Sequence, residues 1–323
     1  MRFIVYGVGA IGGTIAAGLM LAGREVLGIA RGKMLDAIRS NGLLFRTSEG
    51  EHRLTFPCHA GPDQIEFRAD DVVILTMKSQ DTEAALRDLS AAGVTAQTIL
   101  CAQNGVANER AALRLFPNVL GMTVMLPADY TVPGEVTCFG GPNYGMFDLG
   151  RYPRGGDATV EAVATHLRAA NFAVFVQDDV MRSKYGKLLE NLGNVLDAAL
   201  GRGSDFEDIA DEARDEGRAV LRAAGIDWTE IDRDEPRRKG VFELRKVEGA
   251  ARTGSSSAQS LKRGAGSIET DYLNGEIVLL GRLHGAPVPL NTALCQLGRD
   301  LVAGRVARGT LTAVQLRERL GLS

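Results

Sequence analysis

Three glycines within the first twelve residues, Gly7, Gly9 and Gly12, stand at G-x-G-x-x-G spacing between an apolar run and an apolar helix. No other feature constrains the chain as much. Phe3-Ile4-Val5 is a short apolar run of the kind that forms a buried first strand. Ile15 to Leu21 carry helical apolar character, and Glu25 to Ala30 read as a second strand. In such a strand–turn–helix the first glycine permits a tight turn and the second lets the backbone approach a pyrophosphate. The third lets helix and strand pack closely. The helix N-terminus then turns its unpaired amides toward the anion. The run Gly7-Val8-Gly9-Ala10-Ile11-Gly12 is therefore a candidate dinucleotide-binding loop. A glycine-rich turn in an unrelated α/β protein is the alternative, and the flanking strand and helix argue against it.

The tip of the second strand bears on the choice of dinucleotide. An acid there accepts from the ribose hydroxyls of NAD, whereas an arginine accommodates the additional phosphate of NADP. This chain places Arg31 at the tip, with Lys33 beyond it and no acid. A guanidinium forks well onto phosphate, so the reading favours NADP over NAD and over a merely solvated arginine.

At 323 residues the chain exceeds a typical single core and divides into two domains. A net charge of −3 and 6% aromatics leave no electrostatic or stacking footprint for nucleic acid or a membrane surface. No apolar run reaches membrane-spanning length. The chain opens on a strand, so the expectation is that no signal peptide precedes it. Cys58, Cys101, Cys138 and Cys295 lie far apart, as reduced thiols in the cytoplasm would. His52, His59, His166 and His284 make no metal spacing, and no metal is expected.

Strand and helix alternate through the first half. Gly42–Arg46 and Arg53–Phe56 read as a hairpin-like excursion, and Asp71–Met77 as a central parallel strand. Further strands are expected at Thr98–Ala102 and Val119–Met125. Helices are expected at Ala84–Ala92, Ala107–Leu115 and Ala158–Ala170. Glu135–Phe139 and Tyr144–Phe147 read as antiparallel additions, and Ala173–Val176 as a last strand. The pattern implies an α/β fold with an N-terminal Rossmann-type doubly wound sheet over residues 1–178. From 179 to 323 helical periodicity dominates, at Met181–Leu200, Asp205–Ala224, Ile268–His284, Asn291–Ala303 and Thr312–Leu320, which implies an all-helical second domain. The charged segment Asp232–Gly240 reads as a solvated loop and Gly254–Ser257 as a flexible stretch.

Ligands of open α/β sheets bind beyond the carboxyl ends of strands. Lys78 and Asn104 occupy two successive strand ends on the side of the glycine loop. In the helix after residue 180, Lys187, Asn191 and Asn194 fall at i, i+4 and i+7 on one face, and Lys184 joins them a turn earlier. Asparagine and glycine are poor helix formers, costing about 0.7 and about 1 kcal/mol relative to alanine. Their use in this stripe points to specific hydrogen bonding rather than to a solvated face. Flanking leucines and the like charge of Lys184 would favour Lys187 as a proton donor. Glu269, near a helix start, is placed either to cap it or to accept from a ligand.

With these residues in view, the chain resembles the ketopantoate reductase family (2-dehydropantoate 2-reductases) over essentially its whole length. The resemblance is carried by GVGAIG at 7–12, Arg31, MKSQ around Lys78, QNG ending at Gly105 and PADYTVPGEV at 127–136. KLLEN at 187–191, the serines at 255–257 and IETDYLNGEIVLLGRLHGAPVPLN at 268–291 complete it. It implies reduction of a 2-oxo acid by NADPH in a cleft between a Rossmann domain and a helical domain, and a homodimer formed through the latter. It implies that Lys187 polarises and protonates the keto oxygen and that Asn191 and Ser257 bind substrate. Asn104 and Lys78 would lie at the nicotinamide and substrate end of the cleft. Glu269 would contact ligand hydroxyls there, and Ala128 would contact the cofactor.

Four departures fall on the substrate side. Asn194 comes seven residues after Lys187 where the family has eight, Ala258 replaces a methionine, the acidic residue expected shortly after it is absent, and Tyr185-Gly186 stands before the lysine in place of a tryptophan. The expected activity is therefore reduction of ketopantoate or a close analogue. A dehydrogenase of another small hydroxy acid and a non-catalytic NADP-binding sensor are the alternatives.

Overall fold

The computed structural model describes residues 1–201, 206–231, 236–262, 264 and 266–321. They form two compact units, Met1–Lys184 with Arg233–Arg252, and Tyr185–Asp232 with Thr253–Ser323. The division falls inside a helix, at Lys184 rather than between residues 178 and 179.

The first unit opens with β1 (Arg2–Tyr6), α1 (Ala10–Leu21), β2 (Val26–Ile29) and α2 (Gly32–Asn41). There follow β3 (Leu43–Thr47), β4 (Gly50–Leu54), β5 (Cys58–His59), β6 (Asp71–Leu75), α3 (Ser79–Ala91), β7 (Thr98–Cys101), α4 (Asn108–Leu113) and β8 (Val119–Met125). Then come β9 (Ala128–Asp129), β10 (Glu135–Cys138), β11 (Gly140–Pro142), β12 (Met146–Arg151), α5 (Ala158–Ala169) and β13 (Ala173–Val176). A late strand, β14 (Phe242–Leu244), completes the unit.

Eight strands form the main sheet in the order β13-β12-β8-β7-β6-β1-β2-β5. Pairing is parallel from β5 through β8, and β12 then runs antiparallel to β8. The apolar run at β6 is buried at every position, as a central parallel strand covered on both faces must be. The two-residue period of the strand divides the core. Phe3 and Val5 pack with Ile15 and Leu19 of α1 and Leu167 of α5, while Ile4 packs with Leu86 of α3 and Ala112 of α4.

Two expectations change. The Glu135 strand is not an antiparallel addition to this sheet. It runs parallel to β3 and antiparallel to β9, in a separate sheet ordered β4-β3-β10-β9. The expected β3–β4 hairpin is present. In the charged segment expected to be a solvated loop, residues 232–235 lie outside the described residues. Its continuation belongs to the first unit, where β14 pairs with β11. Arg237 donates to the fully buried Asp148 at 2.6 and 3.3 Å and lies 5.0 Å over the Phe175 ring. A carboxylate buried in β12 requires a paired cation, and the segment supplies one.

Among the described residues the regular structure of the second unit is helical, as expected. It begins within α6 (Val180–Asn191) and contains α7 (Asn194–Leu200), α8 (Glu207–Ala223), α9 (Ser256–Lys262), α10 (Asn274–His284), α11 (Pro289–Val302) and α12 (Ala313–Leu320). The expected continuous helix over 181–200 is broken at Leu192-Gly193, and that over 268–284 divides into a short 3-10 turn and α10. Asp205, the expected start of the next helix, lies outside the described residues. Of the stretch expected to be flexible, Ser256 and Ser257 open α9, and Gly254 and Ser255 precede it. Gly217 explains itself by packing, because a Cβ there would stand 2.7 Å from Leu189 and 3.1 Å from Leu192. Among the described residues no helix is long and apolar enough to cross a membrane.

Candidate functional site

The glycine loop joins β1 to α1 as its spacing predicts. Gly7 has φ +105°, a conformation that side chains rarely adopt. A Cβ on Gly12 would collide with the Gly7 carbonyl and the Thr76 hydroxyl. Gly9 differs: a Cβ there would meet nothing within 4 Å. Among the described residues no neighbour crowds that position, so the backbone there is open to close approach. Gly9 is also the N-cap of α1 and makes no side-chain capping bond, which leaves the first-turn amides of Ala10 and Ile11 available to an anion. Thr76, which the sequence reading missed, donates to the Gly7 carbonyl at 2.7 Å and pins the turn.

Arg31 follows β2 and is the N-cap of α2. Its side chain is 81% exposed and lies 3.1 Å from Asp81 in the first turn of α3. The glycine turn and a cationic strand tip thus both lie in the first unit. Lys78 is the N-cap of α3, immediately beyond β6, and Asn104 lies in the loop beyond β7. Ala128 is buried in β9, opposite Cys138.

A buried polar network ties the Lys78 and Asn104 loops together. Asn108 donates to the Asn104 carbonyl at 3.0 Å and to Ser79 Oγ at 3.1 Å. Gln103 donates to the Met77 carbonyl at 2.9 Å and to Thr82 at 2.8 Å, and Thr82 donates to Asn108 at 2.9 Å. The network ends on a buried ion pair. Lys184 donates to the Gln103 carbonyl at 2.9 Å and to Glu109, their side chains being 2% and 0% exposed. Burial holds the Glu109 carboxyl above its ordinary range, against the opposing pull of Lys184. Burial likewise pushes the neighbouring Cys101 thiol up. Lys184 is therefore no member of a polar stripe beside Lys187, and its charge is matched by Glu109.

In the second unit, Lys187 lies on α6 with its ammonium 2.5 Å from Glu190, a partner the sequence reading missed. Asn191 stands one turn on. It is 6% exposed, and its Nδ2 has no hydrogen-bond partner among the described residues. Asn194 does not continue the stripe, because the helix ends at Asn191 and restarts at Asn194. Its carbonyl instead accepts from Ser255 Oγ at 3.1 Å, and Asp197 accepts from the Ser255 amide at 2.7 Å. Ser257 is buried in the first turn of α9. Glu269 is buried at the start of the short 3-10 turn. The structure thus brings Lys187 and Asn191 together on one helix, ties Asn194 to the serine turn, and ties the Lys78 loop to the Asn104 loop. Among the described residues no cluster of histidine, cysteine or carboxylate side chains could hold a metal, and all four cysteines are free thiols.

Comparison with known proteins accords with this arrangement. Residues 3–154 match the family model described as Ketopantoate reductase PanE/ApbA, and residues 180–301 match Ketopantoate reductase PanE/ApbA C terminal. A 2-dehydropantoate 2-reductase from Archaeoglobus fulgidus is 28% identical over 94% of this chain and 98% of its own length. One from Pyrococcus horikoshii is 29% identical over 92% and 96%. A PanE/ApbA family ketopantoate reductase structure from Ralstonia eutropha superposes with a TM-score of 0.78 at 28% identity, over 94% of this chain and 99% of that one. A D-mandelate dehydrogenase structure with NADH and anilino(oxo)acetate shares the fold, with a TM-score of 0.76 at 23% identity over 94% and 99%. With its nucleotide loop in one unit, its lysine–asparagine turn in a helical unit and both family models matched in sequence order, the chain belongs to the ketopantoate reductase PanE/ApbA family.

Proposed function

We propose that this chain is an NADPH-dependent reductase converting a 2-oxo acid, 2-dehydropantoate or a close analogue, to the 2-hydroxy acid. The observation that carries the reading is the Lys187–Asn191 turn. An ammonium and a buried, unpartnered amide Nδ2 stand one helical turn apart. Leaving a buried donor unpaired costs about 1–3 kcal/mol, which a ligand oxygen would recover. Two donors at this spacing suit the adjacent oxygens of a 2-oxo acid.

Gly7, Val8, Gly9, Ala10, Ile11 and Gly12 would cradle the pyrophosphate of NADPH, and Arg31 would take its 2′-phosphate. NADPH supplies the hydride that reduces the keto carbon. Lys187 donates a hydrogen bond to the keto oxygen, stabilises the alkoxide as it develops, and passes it the Nζ proton. The sum is 2-oxo acid, NADPH and a proton giving 2-hydroxy acid and NADP⁺. Glu190 holds the ammonium on its helix face. Asn191, with Asn194 and Ser257, orients the substrate. Asn104 and Lys78 serve the nicotinamide and substrate end, and Glu269 and Ala128 serve the cofactor. As a biosynthetic reductase drawing on NADPH, the enzyme works in the cytoplasm, as a homodimer.

The test is NADPH oxidation across a panel of 2-oxo acids with the native chain and Lys187→Ala. The native chain turns over 2-dehydropantoate or a near analogue, and the variant loses about 10²–10⁴-fold in kcat. NADPH still binds the variant in a fluorescence titration. Turnover of Lys187→Ala within about tenfold of native removes Lys187 from the role of acid.

A further inference from the structure

At the break that ends α6 after Asn191, a side chain takes the carbonyl that the helix releases. In an unbroken helix the Leu196 amide would donate to the Leu192 carbonyl. Here it donates to the Gly193 carbonyl at 3.0 Å, and the Leu192 amide closes a tighter turn onto the Leu189 carbonyl at 3.2 Å. The Leu192 carbonyl is released, and Asn274 Nδ2, from the first residue of α10, donates to it at 3.0 Å. A side chain inserted into the hydrogen-bond ladder is a recognised cause of a helix kink.

Asn274 is itself locked. It is 1% exposed, and its second amide proton goes to Asn291 Oδ1 at 2.9 Å. Asn291, fully buried in the first turn of α11, donates from Nδ2 to the Ala213 carbonyl at 3.1 Å and to Glu216 at 2.8 Å. Glu216 also accepts the Leu290 and Asn291 amides at 2.9 and 2.8 Å. A carboxylate on α8 thus fixes one asparagine, which fixes a second, which holds a backbone carbonyl beside Asn191. Every amide proton of both asparagines is used, so the relay has one geometry. Asn191 Nδ2, one residue before the held carbonyl, is a buried donor with no hydrogen-bond partner among the described residues.

We infer that Asn274 is a positioning residue for catalysis, acting through the Leu192 carbonyl to aim the Asn191 amide at the substrate, with Asn291 and Glu216 as its anchors. The inference rests on the reading of Asn191 as a substrate-binding group. Without Asn274 the Leu192 carbonyl would be left to water, and the last turn of α6 would loosen and rotate. Misplacement of a bound group by about 1 Å costs up to about 100-fold in rate.

The test is a double-mutant cycle read by NADPH oxidation. Asn274→Ala should lower kcat/KM for the 2-oxo acid by about ten- to hundredfold and leave KM for NADPH unchanged. In an Asn191→Ala background the same change should cost less than about twofold, because the group it aims is gone. A full loss repeated in that background, or no loss in the native one, overturns the inference. Hydrogen exchange reads the break without turnover. Peptides covering 188–197 should exchange at least about tenfold faster in Asn274→Ala, and unchanged protection also overturns it. Should native protein reduce no 2-oxo acid, the functional reading fails while the exchange result still decides whether Asn274 holds the break. If Asn274→Ala does not fold, Asn274→Ser, which keeps one short donor, enters the same cycle and the same exchange measurement.

Discussion

Replacing Lys184 with alanine should destabilise the first unit by roughly 3–5 kcal/mol at neutral pH, because it leaves a buried carboxylate without its cation. The structure sets the size of the effect. Glu109 is fully buried, its Oε2 has no hydrogen-bond partner among the described residues, and Lys184 supplies its ion pair. The Gln103 carbonyl loses its 2.9 Å donor at the same time. For a unit of about 200 residues each kcal/mol is worth roughly 2–4 °C, so the midpoint should fall by roughly 6–20 °C. The loss should depend on pH with a definite sign. Burial already raises the Glu109 carboxyl, and Lys184 opposes that rise. Removing Lys184 raises it further. A carboxyl raised in the folded state contributes its stability in full below its unfolded value and loses it as pH rises through the folded value. The deficit of the variant should therefore be smallest below the native Glu109 value and grow above it. Urea unfolding of native and K184A protein across this range measures both quantities. A double K184M/E109L replacement, of similar volume and no charge, should recover most of the loss. A loss below about 1 kcal/mol at neutral pH, or one that does not change with pH, would refute the reasoning.

Arg31→Ala should raise KM for NADPH about ten- to hundredfold and leave NADH nearly unaffected, since a charge-assisted phosphate contact is worth about 1.5–3 kcal/mol. An equal loss with both cofactors would remove Arg31 from the phosphate. Asp81→Asn frees that guanidinium from an exposed pair and should tighten NADPH by up to about fivefold, read by fluorescence titration; weaker binding would count against it. Glu269→Ala should reduce turnover with the helical unit still folded, and unchanged kinetics with a lower melting temperature would make Glu269 structural.

The features legible before folding lie within one or two turns of the chain. The strand, glycine turn and helix at 3–21 follow from local sterics and apolar periodicity, and Lys187 and Asn191 share a face because they are one helical turn apart. The alternation of strands and helices gave way to helices alone where the apolar period changed, and the family motifs follow the same order. Tertiary structure decided the partners. Lys184 looked like a companion of Lys187 by spacing, yet its partner Glu109 lies 75 residues away. Asn194 left the expected stripe at a break where Asn274, 82 residues from Leu192, takes the carbonyl that would have continued the helix. The charged segment after residue 235 joined the first unit because Arg237 meets Asp148, 89 residues earlier. Local propensity cannot show such pairings, because a buried polar group is satisfied by whichever donor the packed chain brings to it, and chain distance says nothing about which that will be.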